Sequence, residues 1–141
     1  MRLALHTDYA LRVLMYLTGE RSRASVAVIS EFFGISRDHV AKVAQRLTRR
    51  GYVRSVRGLG GGLELAREPA SISIGAVIED FEASVHLLDC VGDGKMTCRI
   101  RRGCRLREVL AEAERRQMEY LRGVSLADVT QPGSSITALA G

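Results

Sequence analysis

The sequence lacks the marks of a membrane or secreted protein. No stretch approaches the roughly 20 apolar residues that a membrane-spanning helix needs. The N-terminal apolar run is interrupted by Asp8 and Arg12, which argues against a signal peptide and for a reducing cytoplasm. The chain also has no nucleotide-binding fingerprint, no catalytic partner for its cysteines and only 5% aromatic residues. We therefore do not expect an enzyme.

Cysteine is scarce, and its three copies are close together, at Cys90, Cys98 and Cys104. An odd number would leave one thiol over in a disulfide framework, and the Cys-x-x-Cys pairs common in structural zinc sites are absent. Zinc with His86 as a fourth ligand, or a redox switch beside the arginines of this segment, are alternatives. An iron–sulfur cluster held by three thiolates fits the spacing better, and a weak fourth ligand would leave one iron open to small molecules.

What is abundant is positive charge. The chain has 141 residues, a net charge of +5 and a pI near 9.6, which favour one compact domain plus an accessory element and a polyanionic partner. Which polyanion the protein binds has to be inferred from where these charges lie in the predicted structure.

Three helices are predicted in the N-terminal part. Thr7 is a plausible N-cap for helix one, which runs to Gly19. Ser25 begins a short second helix that Gly34 ends, and Ser36 caps a third that ends near Gly51. Helices two and three, joined by a glycine turn, form a helix-turn-helix.

The third helix has an apolar stripe and a basic free face. That face predicts entry into the major groove of double-stranded operator DNA, with the first turns near base edges and later cations near phosphates. A solvated charged helix is the alternative. The predicted contacts on this helix are Ser36, Arg37, Asp38, His39, Lys42, Arg46 and Arg49.

A β-hairpin wing follows. Residues 52–57 and 63–66 alternate like strands around a glycine-rich turn. Arg54 and Arg57 would lie beside the recognition helix, and Gly60 and Gly61 would let the backbone approach a phosphate or a narrow minor groove. The predicted fold is mainly α with a small β-hairpin wing.

The C-terminal half predicts a short helix over 74–82, the cysteine loop and a long helix. Leu106, Leu110, Ala113, Gln117, Tyr120 and Val124 repeat like a coiled-coil seam. Folding back and subunit pairing are both compatible with this pattern; we favour a homodimer, because helix-turn-helix proteins usually read two half-sites. The predicted organisation is a DNA-binding domain over 1–82, a cysteine loop over 83–105, a dimerisation helix and a turn begun by Ser125 over 106–130, and a frayed tail over 131–141.

Five motifs together resemble the winged-helix iron–sulfur repressors, and within that family the nitric-oxide-sensing branch. The resemblance covers residues 1 to about 129. The motifs are TDYALR (7–12), GISRDH (34–39), GYV (51–53), RGLGGGL (57–63) and CRL (104–106).

The resemblance implies a homodimeric repressor with one [4Fe-4S] cluster per subunit, a [2Fe-2S] cluster or zinc being the alternative. Cys90, Cys98 and Cys104 would be ligands, and Asp8 from the other subunit would complete the coordination. Nitrosylation by nitric oxide would then release the operator. The branch that regulates cluster assembly uses a histidine after its third cysteine, which this chain lacks. Asp38 departs from the asparagine common in relatives.

Overall fold

The computed structural model describes residues 2–18, 23–92 and 98–132. Helix α1 spans Leu5–Thr18, α2 Val26–Phe33 and α3 Arg37–Arg49. Strands β2 (Val53–Val56) and β3 (Gly62–Leu65) follow, then a 3-10 turn at Pro69–Ser71 and helix α4 (Ile74–Phe81). The chain closes with α5 (Arg105–Gly123) and α6 (Leu126–Val129). The mainly helical fold with a small wing is confirmed.

Local capping signals define α2 and α3 as predicted. The Ser25 side chain accepts a hydrogen bond from the backbone of Val28, and the Ser36 side chain accepts one from that of His39. Gly34 adopts the left-handed conformation (φ 63°) that ends α2. These caps fix the turn between the two helices.

The predicted start of α1 at Thr7 is wrong. The helix begins at Leu5, and Thr7 is fully buried inside it, with no hydrogen-bond partner for its hydroxyl among the described residues. A tertiary contact explains the difference, because Glu82 accepts a hydrogen bond from the Ala4 backbone at 2.8 Å, just before the first turn. The predicted end at Gly19 lies outside the described residues.

The wing contains a strand that the sequence pattern did not reveal. Strand β1 (Arg23–Ala24) pairs antiparallel with β3, which also pairs with β2, so the order is β1-β3-β2. In this register Glu64 lies between Arg23 and Arg54.

The core joins α1 and α3 through helical stripes and extends to the C-terminal helices. Its fully buried members include Leu14, Leu47, Val77 and Leu126. Leu126 belongs to α6, and its backbone N–H donates to the Ile72 carbonyl at 2.8 Å. Helix α6, near the end of the chain's described part, is therefore packed onto α1 and the 3-10 turn.

Helix α5 has two different faces. Met118 is buried and Leu121 packs against the core, so one face folds back on the domain next to α4. Leu106, Val109 and Tyr120 are exposed by 61%, 51% and 72%. The predicted turn after α5 is present, with Ser125 as its N-cap in a capping box. All but two residues of the predicted tail, 133–141, lie outside the described residues.

Candidate nucleic-acid interface and cysteine loop

The first turns of α3 present polar side chains to solvent. Arg37, Asp38, His39 and Lys42 are exposed, while the opposite stripe of the helix is buried. The Ser36 hydroxyl caps the helix and lies 2.9 Å from His39 Nδ1. The predicted base-reading positions are thus on an accessible and well-capped helix end.

The C-terminal half of α3 is anchored to the end of α4 by Asp80. The Arg46 guanidinium donates to the Asp80 carbonyl at 2.6 Å and lies 4.5 Å from the ring centroid of Phe81. The Tyr52 hydroxyl donates to the Asp80 carboxylate at 2.6 Å, and Arg50 pairs with it at 3.3 Å. Burial, followed by this hydrogen bond, raises the pKa of Tyr52 above its ordinary value. Asp80 therefore links the C-terminal end of α3 and Tyr52 to the end of α4.

Two of the predicted phosphate contacts are thereby engaged within the chain. Arg46 contacts Asp80 and Phe81, and Arg54 on β2 donates to Glu64 at 2.6 Å. Arg23 binds the same carboxylate, and the hydrogen bonds from Arg23 and Arg54 lower the pKa of Glu64. Arg46 and Arg54 remain predicted DNA contacts, but a DNA complex would have to share or rearrange these guanidinium groups.

Arg49 and Arg57 differ from that pair. Both are exposed, and within the described part of the chain neither has an ion pair or a side-chain hydrogen bond. Arg57 leads into the wing tip, where Leu59 is fully exposed and Gly60 has φ 72°. A side chain on Gly61 would lie 2.8 Å from the Gly58 carbonyl oxygen, so this tight turn requires glycine.

Two of the three cysteines, Cys104 and Cys90, lie at the N-terminal end of α5. Cys104 is the N-cap residue of this helix, and its side chain makes no capping hydrogen bond. Arg107, in the first turn, donates to the Cys90 carbonyl at 2.7 Å. Cys98 is exposed, and its carbonyl accepts from the Arg101 backbone at 3.2 Å. All three thiols are free, and residues 93–97 of the predicted loop lie outside the described residues.

Asp8 lies in the first turn of α1, where its carboxylate pairs with Arg12 at 2.9 Å and remains partly exposed. Among the described residues of this single chain, no three His, Cys, Asp or Glu side chains are grouped closely enough to hold a metal ion. The structure therefore does not itself bring Asp8 and the three cysteines together, and the predicted inter-subunit arrangement stays a prediction.

His86, the alternative fourth ligand, is committed elsewhere. Its Nδ1 lies 2.6 Å from a carboxylate oxygen of Glu114 on α5, and its ring packs closely over Gly92. The contact with Glu114 uses only Nδ1, and the other ring nitrogen, Nε2, lies close to Gly92, so a zinc site at His86 would have to displace the ring from Gly92.

Four residues that hold the site were missed from the sequence: Arg23, Asp80, Arg107 and Glu114. Each acts through a contact across at least 17 residues of chain, and such long-range pairs leave no local pattern. The charges on α5 were instead assigned to the flanks of a coiled-coil seam.

A capped recognition helix, a glycine-tipped wing and a basic surface define a winged-helix DNA-binding regulator. Residues 3–132 match the Rrf2 family, which is described as an iron-dependent transcriptional regulator. The chain belongs to the Rrf2 family. The relatives it resembles are transcriptional regulators rather than enzymes.

Two relatives match the chain over nearly its whole length. Both are named HTH-type transcriptional regulator NsrR, from Geobacillus kaustophilus and Bacillus subtilis; each is 36% identical over 99% of this chain and 96% or 97% of its own. Among solved structures, B. subtilis CymR, the global cysteine regulator, is similar with a TM-score of 0.76 at 20% identity, covering 92% of this chain and 96% of its own. T. potens IscR is similar with a TM-score of 0.72 at 24% identity, over 91% and 85%. These structural likenesses support the fold.

No helix in the described ranges is both long enough and apolar enough to cross a membrane.

Proposed function

We propose that this protein is a cytoplasmic homodimeric repressor that binds operator DNA and releases it in response to nitric oxide, through an iron–sulfur cluster. The observation that carries the proposal is the set of three free thiols in a winged-helix regulator, with Cys90 and Cys104 at the N-terminal end of α5. The full-length similarity to regulators named NsrR supports the choice of signal.

The DNA-binding part of the proposal relies on the exposed groups. The first turns of α3 would lie in the major groove, and Lys42, Arg49 and Arg57 could reach phosphates without breaking a contact in the described part of the chain. The glycine turn at 60 and 61 would let the wing approach the backbone of the duplex. Two copies of this unit would read two half-sites.

The donor set fits an iron–sulfur cluster. Thiolates are the ligands such clusters use, and the three thiols are unpaired and partly or fully accessible to solvent. Cys90, Cys98 and Cys104 would hold a [4Fe-4S] cluster, and a bound cluster would supply iron that reacts with nitric oxide. Because the Nε2 side of the His86 ring lies close to Gly92, Asp8 from the second subunit is the favoured fourth ligand.

The exposed face of α5 would form the dimer contact. Val109 and Ala113 line a groove of about 420 Å³ between charged residues of the same helix. Pairing of two such faces would remove apolar surface from water and bring the two DNA-binding domains into a fixed spacing. Release of the carboxylate of Asp8 would loosen that spacing, and a coupling of this kind is worth up to about 150-fold in DNA affinity.

The test is DNA retention under anaerobic conditions. A binding site is first selected from a random duplex library with the wild-type protein, and its retention is then measured in gel shifts with and without nitric oxide. We expect nitric oxide to abolish retention by the wild type, and we expect Cys98→Ser to retain the DNA poorly at all times. Equal retention by the wild type and Cys98→Ser, with no response to nitric oxide, would refute the switch.

A further inference from the structure

One carboxylate on α5 holds two consecutive residues of the segment that leads to Cys90. Glu114 Oε1 lies 2.6 Å from His86 Nδ1, and Glu114 Oε2 accepts a hydrogen bond from the Leu87 backbone at 3.1 Å. The Glu114 side chain is only 13% exposed. Both of its oxygens are thus used, and the carboxylate side of the contact is largely buried, whereas the His86 side chain is 39% exposed.

The ring that Glu114 holds is packed against the far end of the same segment. A Cβ atom built on Gly92 would lie 2.6 Å from His86 Nε2. Gly92 is buried and is not among the glycines with positive φ, so its backbone conformation does not call for glycine. The need for a glycine here comes from the close approach of the His86 ring.

Helix α5 contacts the segment at a second point. Arg107 donates to the carbonyl of Cys90 at 2.7 Å. Arg107 and Glu114 are seven residues apart, which places them on the same face of the helix, two turns from each other. The segment 86–92 is therefore fixed to α5 at both of these positions, and Cys90 lies within it.

We infer that Glu114 is a positioning residue, which holds Cys90 in place through His86 and Leu87 independently of any bound cluster. Its importance for cluster retention rests on the proposed function; its effect on the loop does not. The consequence is an asymmetric ligand set. Cys90 and Cys104 are fixed to the start of α5, whereas Cys98 lies on an exposed segment whose one backbone hydrogen bond among the described residues is the local one with Arg101.

The first experiment measures the accessibility of each thiol in the cluster-free protein. Iodoacetamide is added to the reduced protein, and the alkylation rates of Cys90 and Cys98 are read by peptide mass spectrometry. For Glu114→Ala we expect Cys90 to react about tenfold faster, because two hydrogen bonds that close the segment are lost. The rate at Cys98 serves as an internal reference and should not change.

The matched control is Glu119→Ala, the same substitution on the same helix. Glu119 is 70% exposed and pairs only with Arg115 among the described contacts, so its loss should leave Cys90 unchanged. Glu114→Gln should give an intermediate rate, because its amide oxygen can still accept from the Leu87 backbone while a neutral amide replaces the carboxylate at His86.

A second variant tests whether the effect passes through the His86 ring. Gly92→Ala should displace the ring and also accelerate the reaction of Cys90. If both substitutions act on the same contact, Glu114→Ala combined with Gly92→Ala should react no faster than Glu114→Ala alone. Multiplicative rates in the double variant would contradict the shared route.

The same variants are then compared as anaerobically purified protein, by the rate of iron release to a chelator. We expect faster release from Glu114→Ala than from Glu119→Ala. Unchanged alkylation of Cys90 in Glu114→Ala would overturn the positioning role. A wild-type protein that contains no iron or sulfide would overturn the proposed function instead, while the alkylation experiment would still decide the role of Glu114.

Discussion

Arg46 and Arg57 were both predicted to contact DNA, yet the structure gives them opposite surroundings. Arg46 is half-buried, donates to the Asp80 carbonyl at 2.6 Å and stacks 4.5 Å from the centre of the Phe81 ring. Arg57 is exposed and, among the described residues, has no partner. Arg46→Ala should therefore change the thermal stability, whereas Arg57→Ala should change the salt dependence of DNA binding.

The magnitudes follow from these contacts. Arg46→Ala removes one hydrogen bond, worth about 1 kcal/mol, and one cation–π contact, worth about 0.5–1 kcal/mol. The free energy of unfolding should fall by about 2 kcal/mol, which for a chain of this size lowers Tm by roughly 5 °C. Arg57→Ala should leave Tm unchanged. It should instead reduce the slope of log binding constant against log salt by about one, as expected when one phosphate contact is lost.

The assay combines thermal unfolding by circular dichroism with anisotropy titrations of the selected duplex at several salt concentrations. Arg49→Ala is the control for removing an exposed arginine from α3, since Arg49 is exposed like Arg57 but lies on the same helix as Arg46. If Arg46→Ala keeps the wild-type Tm and loses one unit of salt slope, Arg46 is a phosphate contact and the anchor at Asp80 does not stabilise the recognition helix.

Three other substitutions test the packing of α6, the titration of Tyr52 and the proposed dimer face of α5. Leu126→Ala should lower the free energy of unfolding by about 2–5 kcal/mol, because Leu126 is fully buried and joins α6 to the core; a chemical-denaturation midpoint equal to wild type would contradict that packing. The raised pKa of Tyr52 means that the unfolded chain loses its tyrosine proton first, so stability should fall as the pH rises above about 10. Tyr52→Phe should show a smaller alkaline loss of Tm than wild type, and an identical loss would contradict the raised pKa of Tyr52. Val109→Glu should convert the dimer to a monomer in sedimentation, since it places a charge on the exposed apolar face of α5; a dimer of unchanged affinity would place the interface elsewhere.

The sequence predicted best the features that depend on neighbours along the chain. Ser25, Gly34 and Ser36 were correctly placed at the helix ends, because a cap acts within three or four residues. The start of α1 was misplaced because Glu82 binds Ala4 from the end of α4. Strand β1 was missed because two residues show no alternation, and its partner strand lies about forty residues further on.

The candidate site shows the same difference between features that depend on neighbours along the chain and contacts between distant elements. The thiols, the basic helix face and the glycine turn could be read as motifs. The engagement of Arg46 by Asp80 and of His86 by Glu114 could not, since helical periodicity tells which side a residue is on but not what reaches it from another element. Helix α5 shows the same limit of helical periodicity. Its heptad pattern predicted one apolar seam, whereas the helix has a packed face and an exposed one.

The most direct test of the central claim is the iron and acid-labile sulfide content of the anaerobically purified protein, measured with its visible spectrum before and after nitric oxide. We expect a brown protein with equal amounts of iron and sulfide, a broad absorption in the blue that nitric oxide changes, and none of these in Cys98→Ser. A colourless wild-type protein that holds stoichiometric zinc would contradict the account.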